Sequence, residues 1–238
     1  LPGGKEQIAG EYQPGWMLLS YGKKVSVSSS LEGYPAENIV DEDARTAWVA
    51  QSNRDMEWAQ VDLQRLSSIH AIQVNFDEYG ANQKGAVSGV YQSYLIYASV
   101  NGEDWSLVVD YGTKKTDTPH DYIEFEEPFK ARYIKLQNKE YMVSENFSVR
   151  DLRIFGKGQG STPRAVNDFT VERDEADPCK ARLCWEAVPD AQGYIVRYGI
   201  AGDKLYNNFQ VMGENTLEIG SLNKGVAYYF TIDAYNEN

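Results

Sequence analysis

Ile72, Val74 and Phe76 alternate with polar residues at a strict period of two, and the same pattern recurs along the chain in short runs. A period of two lines one face of a β-strand and cannot line one face of an α-helix, whose period is 3.6. Lys24 to Ser28, Trp58 to Leu63, Tyr94 to Val100, Trp105 to Asp110, Tyr122 to Phe125, Ala131 to Leu136 and Arg150 to Phe155 read as further strands. They are divided by Gly, Asn, Asp and Pro, and Asn101-Gly102 is the strongest hairpin signal among these dividers. The class is all-β, and roughly eight strands at this spacing suggest a jelly-roll sandwich. Asp77 to Gln92 reads as a long loop, and Asp117 to His120 as a shorter one. Trp58 falls on the opposite parity from Ala59, Val61 and Leu63. It is read as covered by the apolar strap or edge strand Trp16-Met17-Leu18-Leu19.

The chain divides by composition. Leu1 to Gln13 shows no periodicity and reads as a linker from something upstream, so 1–22 is taken as linker and strap. A first domain spans 23–157, and the Gly-rich run ending at Pro163 makes 158–163 a flexible linker. Over 164–238 the strands shorten: Phe169 and Val171, then Ala181 to Trp185, Tyr194 to Tyr198, Leu205 to Val211, Thr216 to Ile219 and Tyr228 to Ala234. That is a smaller sandwich of immunoglobulin-like type without its last strand.

Charge narrows the partners. With 23 Lys and Arg against 35 Asp and Glu, the net charge is −12. Nucleic acid and anionic membrane surfaces both reward clustered cations, so neither is expected, and a lipid-binding role is disfavoured. No run of eighteen apolar residues exists to span a bilayer. Leu1 is not a native start, so the chain reads as a mature fragment. Cys179 and Cys184, read as one strand, would stand roughly 16 Å apart, beyond disulfide reach, and are expected as free thiols.

One stretch stands out chemically. Asn38-x-x-Asp41-x-Asp43-x-x-Thr46, closed by Trp48, gathers small oxygen-bearing residues in a tight turn. A hard cation such as Ca²⁺ takes six to eight oxygens from such groups and from backbone carbonyls. Asp- and Asn-rich surface turns also form without a ligand, so spacing alone leaves both readings open.

With the strands placed, the first domain resembles the discoidin, or coagulation-factor type C, family, which includes carbohydrate-binding modules of family 32. The resemblance rests on Asn38–Trp48, Trp58-Ala59-Gln60-Val61-Asp62-Leu63, Ser99 to Trp105, Ala131 to Leu136 and the closing Arg150-Asp151-Leu152-Arg153-Ile154-Phe155-Gly156. It implies a structural Ca²⁺ held by the carbonyls of Asn38, Asp43 and Arg150, the carboxylates of Asp41 and Asp151, and Thr46. Asp151 stands where family members commonly have glutamate, one methylene longer. The second domain resembles fibronectin type III, through Trp185 and through Leu222 and Tyr228 at a tyrosine corner. As a whole the chain is similar to the region after the catalytic propeller in glycoside hydrolase family 43 proteins, xylosidases and arabinofuranosidases. Gly15 to Tyr21, Val74 to Asp77, Pro119 to Tyr122 and Lys204 to Asn207 carry that likeness.

Little here is catalytic. Glycoside hydrolysis needs a convergent carboxyl pair, and none stands out. Two histidines, His70 and His120, support no triad, and no phosphate loop or zinc spacing is present. Sugar binding is the sharper expectation, because a pyranose needs an aromatic face and polar groups on one set of loops. Tyr34, Asn53, Arg54, Asp77, Tyr79, Tyr91 and Tyr141 are the candidates. Galactose-binding family members place histidine and arginine where Val49 and Asp77 stand here. The expected role is a non-catalytic, extracytoplasmic accessory region that binds a plant-type polysaccharide or glycan beside an upstream catalytic domain in cis. The alternative is a structural spacer or cell-surface adhesion module.

Overall fold

The computed structural model describes residues 15–81 and 89–238. The linker expected over Leu1 to Gln13 lies outside the described residues, as does the middle of the loop expected over Asp77 to Gln92. The described residues divide into two compact units, Gly15–Gln159 and Gly160–Asn238.

In the first unit β1 (Met17–Leu18), β2 (Lys24–Val27) and a 3-10 helix (Ala36–Val40) precede β3 (Trp48–Val49) and β4 (Trp58–Phe76). Then come β5 (Gln92–Ser99), β6 (Ser106–Tyr111), β7 (His120–Tyr141) and β8 (Ser148–Gly158). All pairings are antiparallel, in the order β1-β8-β4-β7-β5-β6, with β2 against β4 and β3 against β8.

Two pairs of expected strands are each one strand. Trp58–Leu63 and Ile72–Phe76 join as the 19-residue β4, and Tyr122–Phe125 and Ala131–Leu136 join in the 22-residue β7. The register between β4 and β7 shifts between Asp62 and Ser67 and again between Ile69 and Ala71. Such irregularities bend a strand and increase its twist without ending it. The first half of β4 lies between β2 and β7, and the second half between β8 and β7. Both halves turn their apolar side chains into one core, Ala59, Val61 and Leu63 from one layer and Ile72, Val74 and Phe76 from the other. Where β8 crosses the bend, Gly156 is obligatory, because a Cβ there would collide with the Ser68 carbonyl.

The strap is the edge strand β1, pairing with β8 through Met17 and Leu18. Its Trp16 stacks on His70, ring centroids 5.4 Å apart. His120 is not a loop residue but the first of β7, opposite Asn75. Just beyond it Asp121 is buried and accepts the Tyr94 hydroxyl at 2.6 Å and the Lys114 ammonium. Burial and that carboxylate raise the Tyr94 phenol far above its ordinary range.

The second unit holds six strands in two sheets. β9 (Phe169–Arg173), β10 (Ala181–Trp185) and β13 (Thr216–Ile219) form one; β11 (Gly193–Gly199), β12 (Asn207–Met212) and β14 (Tyr229–Tyr235) form the other. Leu183, Trp185, Val196, Ile219, Leu222 and Ile232 meet between them in one core, the layout of a small immunoglobulin-like sandwich. The Tyr228 hydroxyl accepts the Asn223 N–H at 3.1 Å, which fixes the approach to β14. Both cysteines are free, but Cys179 lies in the turn before β10 and not in the strand.

Candidate functional site

Because β4 bends over, its two ends meet the same set of loops. The 3-10 helix leads into the turn from Asp41 to Ala47, which delivers Trp48 to β3. Trp48 pairs with Val149 and Val49 with Ser148, so backbone hydrogen bonding alone sets the acidic turn beside the start of β8.

Inside the turn Asp41 Oδ1 accepts the Asp43 N–H at 2.8 Å. Thr46 Oγ1 lies 2.8 Å from Asp41 Oδ2 and 3.0 Å from the Asp43 carbonyl. The Asn38 side-chain amide donates to the Ala47 carbonyl at 2.8 Å and closes the loop. The Asp43 carboxylate faces away, onto Arg45, whose hydrogen bonds hold it below the usual carboxylate range. Asp151 is buried beside the turn. Burial pushes its carboxyl up, the Asn75 amide at 2.8 Å offsets part of this, and the neighbouring Glu42 carboxylate adds to the rise. The Arg150 side chain reaches Asp77 at 2.5 Å, so its part in any cation site is confined to its carbonyl.

The donors are therefore two carboxylates, a hydroxyl and backbone carbonyls. Among the described residues no group of three or more His, Cys, Asp or Glu gathers to hold a metal. Such a set fits a hard cation that accepts carbonyl and hydroxyl oxygen, and does not suit zinc. Sequence reasoning missed a second tie between turn and strand. Glu42, in the left-handed region at φ 60°, is gripped by Arg153 through Nε at 3.0 Å and Nη2 at 2.5 Å. A pairing across 111 residues leaves no local signal.

The sugar candidates separate into two groups. Tyr141 is buried against Phe76 and Phe147, and its hydroxyl donates to the Asp77 carbonyl. Asn53 donates to the carbonyls of Tyr141 and Ser144, at 3.3 and 2.8 Å. These two bind the loops to one another and have little left for a ligand. Tyr91 is taken by Lys115, whose Nζ lies 3.2 Å from its hydroxyl. Arg54 is exposed.

Tyr34 and Tyr79 come together edge to face, centroids 4.8 Å apart and half-buried. The turn carrying Tyr34 is anchored from below, since Trp48 Nε1 donates to the Ser29 carbonyl at 3.0 Å and Leu31 N–H to the Val49 carbonyl at 2.7 Å. Tyr79 follows by two residues Asp77, which is ion-paired with Arg150. Glu57 was also missed. It receives the hydroxyls of Ser28, Ser52 and Ser29, which outweigh the upward push of burial and leave its carboxyl low.

The F5/8 type C domain family model matches residues 24–151, more than half of the chain. The chain belongs to this family. The chain is 33% identical to rat lactadherin and 32% identical to mouse lactadherin, over 110 residues each. Those alignments cover 43% of this chain, and the chain spans about a quarter of the length of either relative. Among solved structures, chitosan-binding module 1 of the chitosanase/glucanase from Paenibacillus sp. IK-5 superposes with a TM-score of 0.50 at 20% identity, covering 59% of this chain and 99% of the module. Module 2 of the same enzyme, solved with chitotriose, gives 0.50 at 19% identity, with 58% and 99% covered. At such identity the likeness is one of fold, and it makes the F5/8 type C domain a galactose-binding-like sandwich.

Proposed function

We propose that the chain is a non-catalytic carbohydrate-binding accessory region, and that its F5/8 type C domain takes a glycan at the loop end. The observation that carries this is the Tyr34–Tyr79 ring pair, whose Tyr79 follows Asp77, the ion-pair partner of Arg150, by two residues along the same loop. A pyranose presents an apolar face to an aromatic ring and hydroxyls to charged groups that both donate and accept, and this corner offers both. The ligand is a plant-type polysaccharide. The second unit is a fibronectin type III domain, which the Tyr228–Asn223 hydrogen bond favours. The chain then serves a secreted polysaccharide hydrolase of the xylosidase or arabinofuranosidase kind, in an extracytoplasmic setting.

A glycan array, followed by titration with xylan, arabinan and galactan oligosaccharides, is the test. Saturable binding to a polysaccharide fragment is the expected result. Silence across the array would overturn it in favour of a structural spacer.

The acidic turn is proposed to bind a structural Ca²⁺ through Asp41, Thr46, Asp151 and the carbonyls of Asn38, Asp43 and Arg150. The ion would supply charge to Asp151, a buried carboxylate whose hydrogen bond is to a neutral amide. At free calcium a hundredfold above Kd the linkage contributes about 2.7 kcal/mol. For a domain of this size that corresponds to a loss of about 5–10 °C in melting temperature on adding EDTA. Asp41→Ala should abolish the difference, and superimposable melting curves with and without EDTA would contradict the ion.

A further inference from the structure

The first half of β4 and the second half of β7, which pair with one another, carry a row of side chains for which the loop end has no use. Ala59, Val61, Ile96, Ala98, Ile134 and Leu136 point into the core. Alternation therefore puts Trp58, Gln60, Tyr97, Lys135 and Gln137 on the opposite face of the layer β2-β4-β7-β5-β6. The register sets Trp58 opposite Gln137, Gln60 opposite Lys135, and Lys135 in turn opposite Tyr97. All five are half-buried, neither sealed in nor fully in water.

Lys135 is the centre of this face. Its Nζ lies 3.9 Å from the centroid of the Trp105 ring and 5.6 Å from that of Tyr97. Among the described residues no carboxylate stands within ion-pair distance of it, in a chain of net charge −12. Asp62, one row away, is already taken bidentately by Arg132 at 2.8 and 2.9 Å. Partial burial alone lowers the ammonium's pKa, the signature of a charge short of a counter-ion. The side-chain amides of Gln60 and Gln137 make no hydrogen bond to any described residue.

The ordinary explanation is a lysine stem covering aromatic surface, which cation–π contact rewards modestly. It leaves two features without a purpose: the missing carboxylate, and two unpaired amides flanking it on a half-dry surface. An anion with hydroxyls around it supplies both. We infer that this face is a second saccharide-binding surface, taking an acidic oligosaccharide whose carboxylate pairs with Lys135 while its rings lie against Trp58 and Tyr97. The proposal is independent of the loop-end site, with which it shares no residue.

The test is titration of the ¹⁵N-labelled full chain with trigalacturonate and, separately, with neutral galactotriose, following the tryptophan indole N–H signals. Trigalacturonate is expected to shift Trp58 and Trp105 saturably and to leave Trp185, in the other unit, unmoved. Galactotriose should act at least tenfold more weakly on those two signals. Lys135→Gln should weaken the uronate response at least tenfold without changing the melting temperature. Tyr79→Ala should leave that response intact, so failure here is separable from failure of the loop-end reading. The proposal is overturned if neither sugar moves Trp58 and Trp105, if the neutral sugar binds as tightly, if Lys135→Gln binds like the parent, or if Tyr79→Ala abolishes the effect.

Discussion

Trp48→Ala is expected to lower the unfolding free energy of the F5/8 type C domain by about 3–5 kcal/mol, the usual loss for truncating a buried tryptophan. The side chain is fully buried, edge-on to Phe147 at 5.8 Å, and belongs to the core that both layers share. Truncation leaves a cavity that neighbours from two layers cannot close together. It also removes the Nε1–H that satisfies the Ser29 carbonyl, orphaning an acceptor on the turn that carries Tyr34. For a domain of this size the corresponding drop in melting temperature is about 10–15 °C. Trp48→Phe keeps most of the volume and loses the hydrogen bond, so it should cost about 1–2 kcal/mol. Thermal and urea unfolding measure both, and a Trp48→Ala loss under about 1 kcal/mol would show that the turn is not anchored through this ring.

Asp121→Ala should cost about 3 kcal/mol, towards the lower end of what breaking a buried ion pair costs, because Lys114 keeps some contact with water. Asp121 satisfies Tyr94, whose ring is buried, and Lys114, whose ammonium also lies 4.5 Å from the centroid of Tyr111. Removing the carboxylate strands a phenol and a cation together. The loop behind them is affected too, since Ser93 Oγ donates to the Lys114 carbonyl. The pair itself is not the source of that cost. Replacing both ends by apolar groups, as in Asp121→Leu with Lys114→Met, removes the uncompensated charge and should recover most of the loss. Chemical denaturation of the two variants separates these cases, and a double variant as unstable as Asp121→Ala would refute the ion-pair explanation.

The strands were legible in the sequence because each carries its own alternation, and Ile72, Val74 and Phe76 point inward as that alternation requires. Their continuity was not. Nothing in Gln64 to Ser67 announces that β4 bends and runs on, because a register shift is a property of two strands and not of one segment. The acidic turn was legible as chemistry, since Asp41, Asp43 and Thr46 lie within six residues. What holds it, Arg153 on Glu42 and Trp48 against Val149, spans about a hundred residues and emerges only from the fold. Tyr34 and Tyr141 show the limit for the sugar site. Both are loop-flanking tyrosines in the sequence, yet one is half-buried beside Tyr79 and the other lies in the core with its hydroxyl committed.

Isothermal titration calorimetry of the chain in calcium-containing buffer, with xylan, arabinan and galactan oligosaccharides and with Tyr79→Ala in parallel, bears most directly on the loop-end corner as a glycan site. Saturable heat with at least one oligosaccharide is expected, weakened by Tyr79→Ala about tenfold or more, equivalent to about 1.4 kcal/mol, with the melting temperature unchanged. Absence of heat with every oligosaccharide, or a Tyr79→Ala isotherm identical to that of the parent, would contradict it.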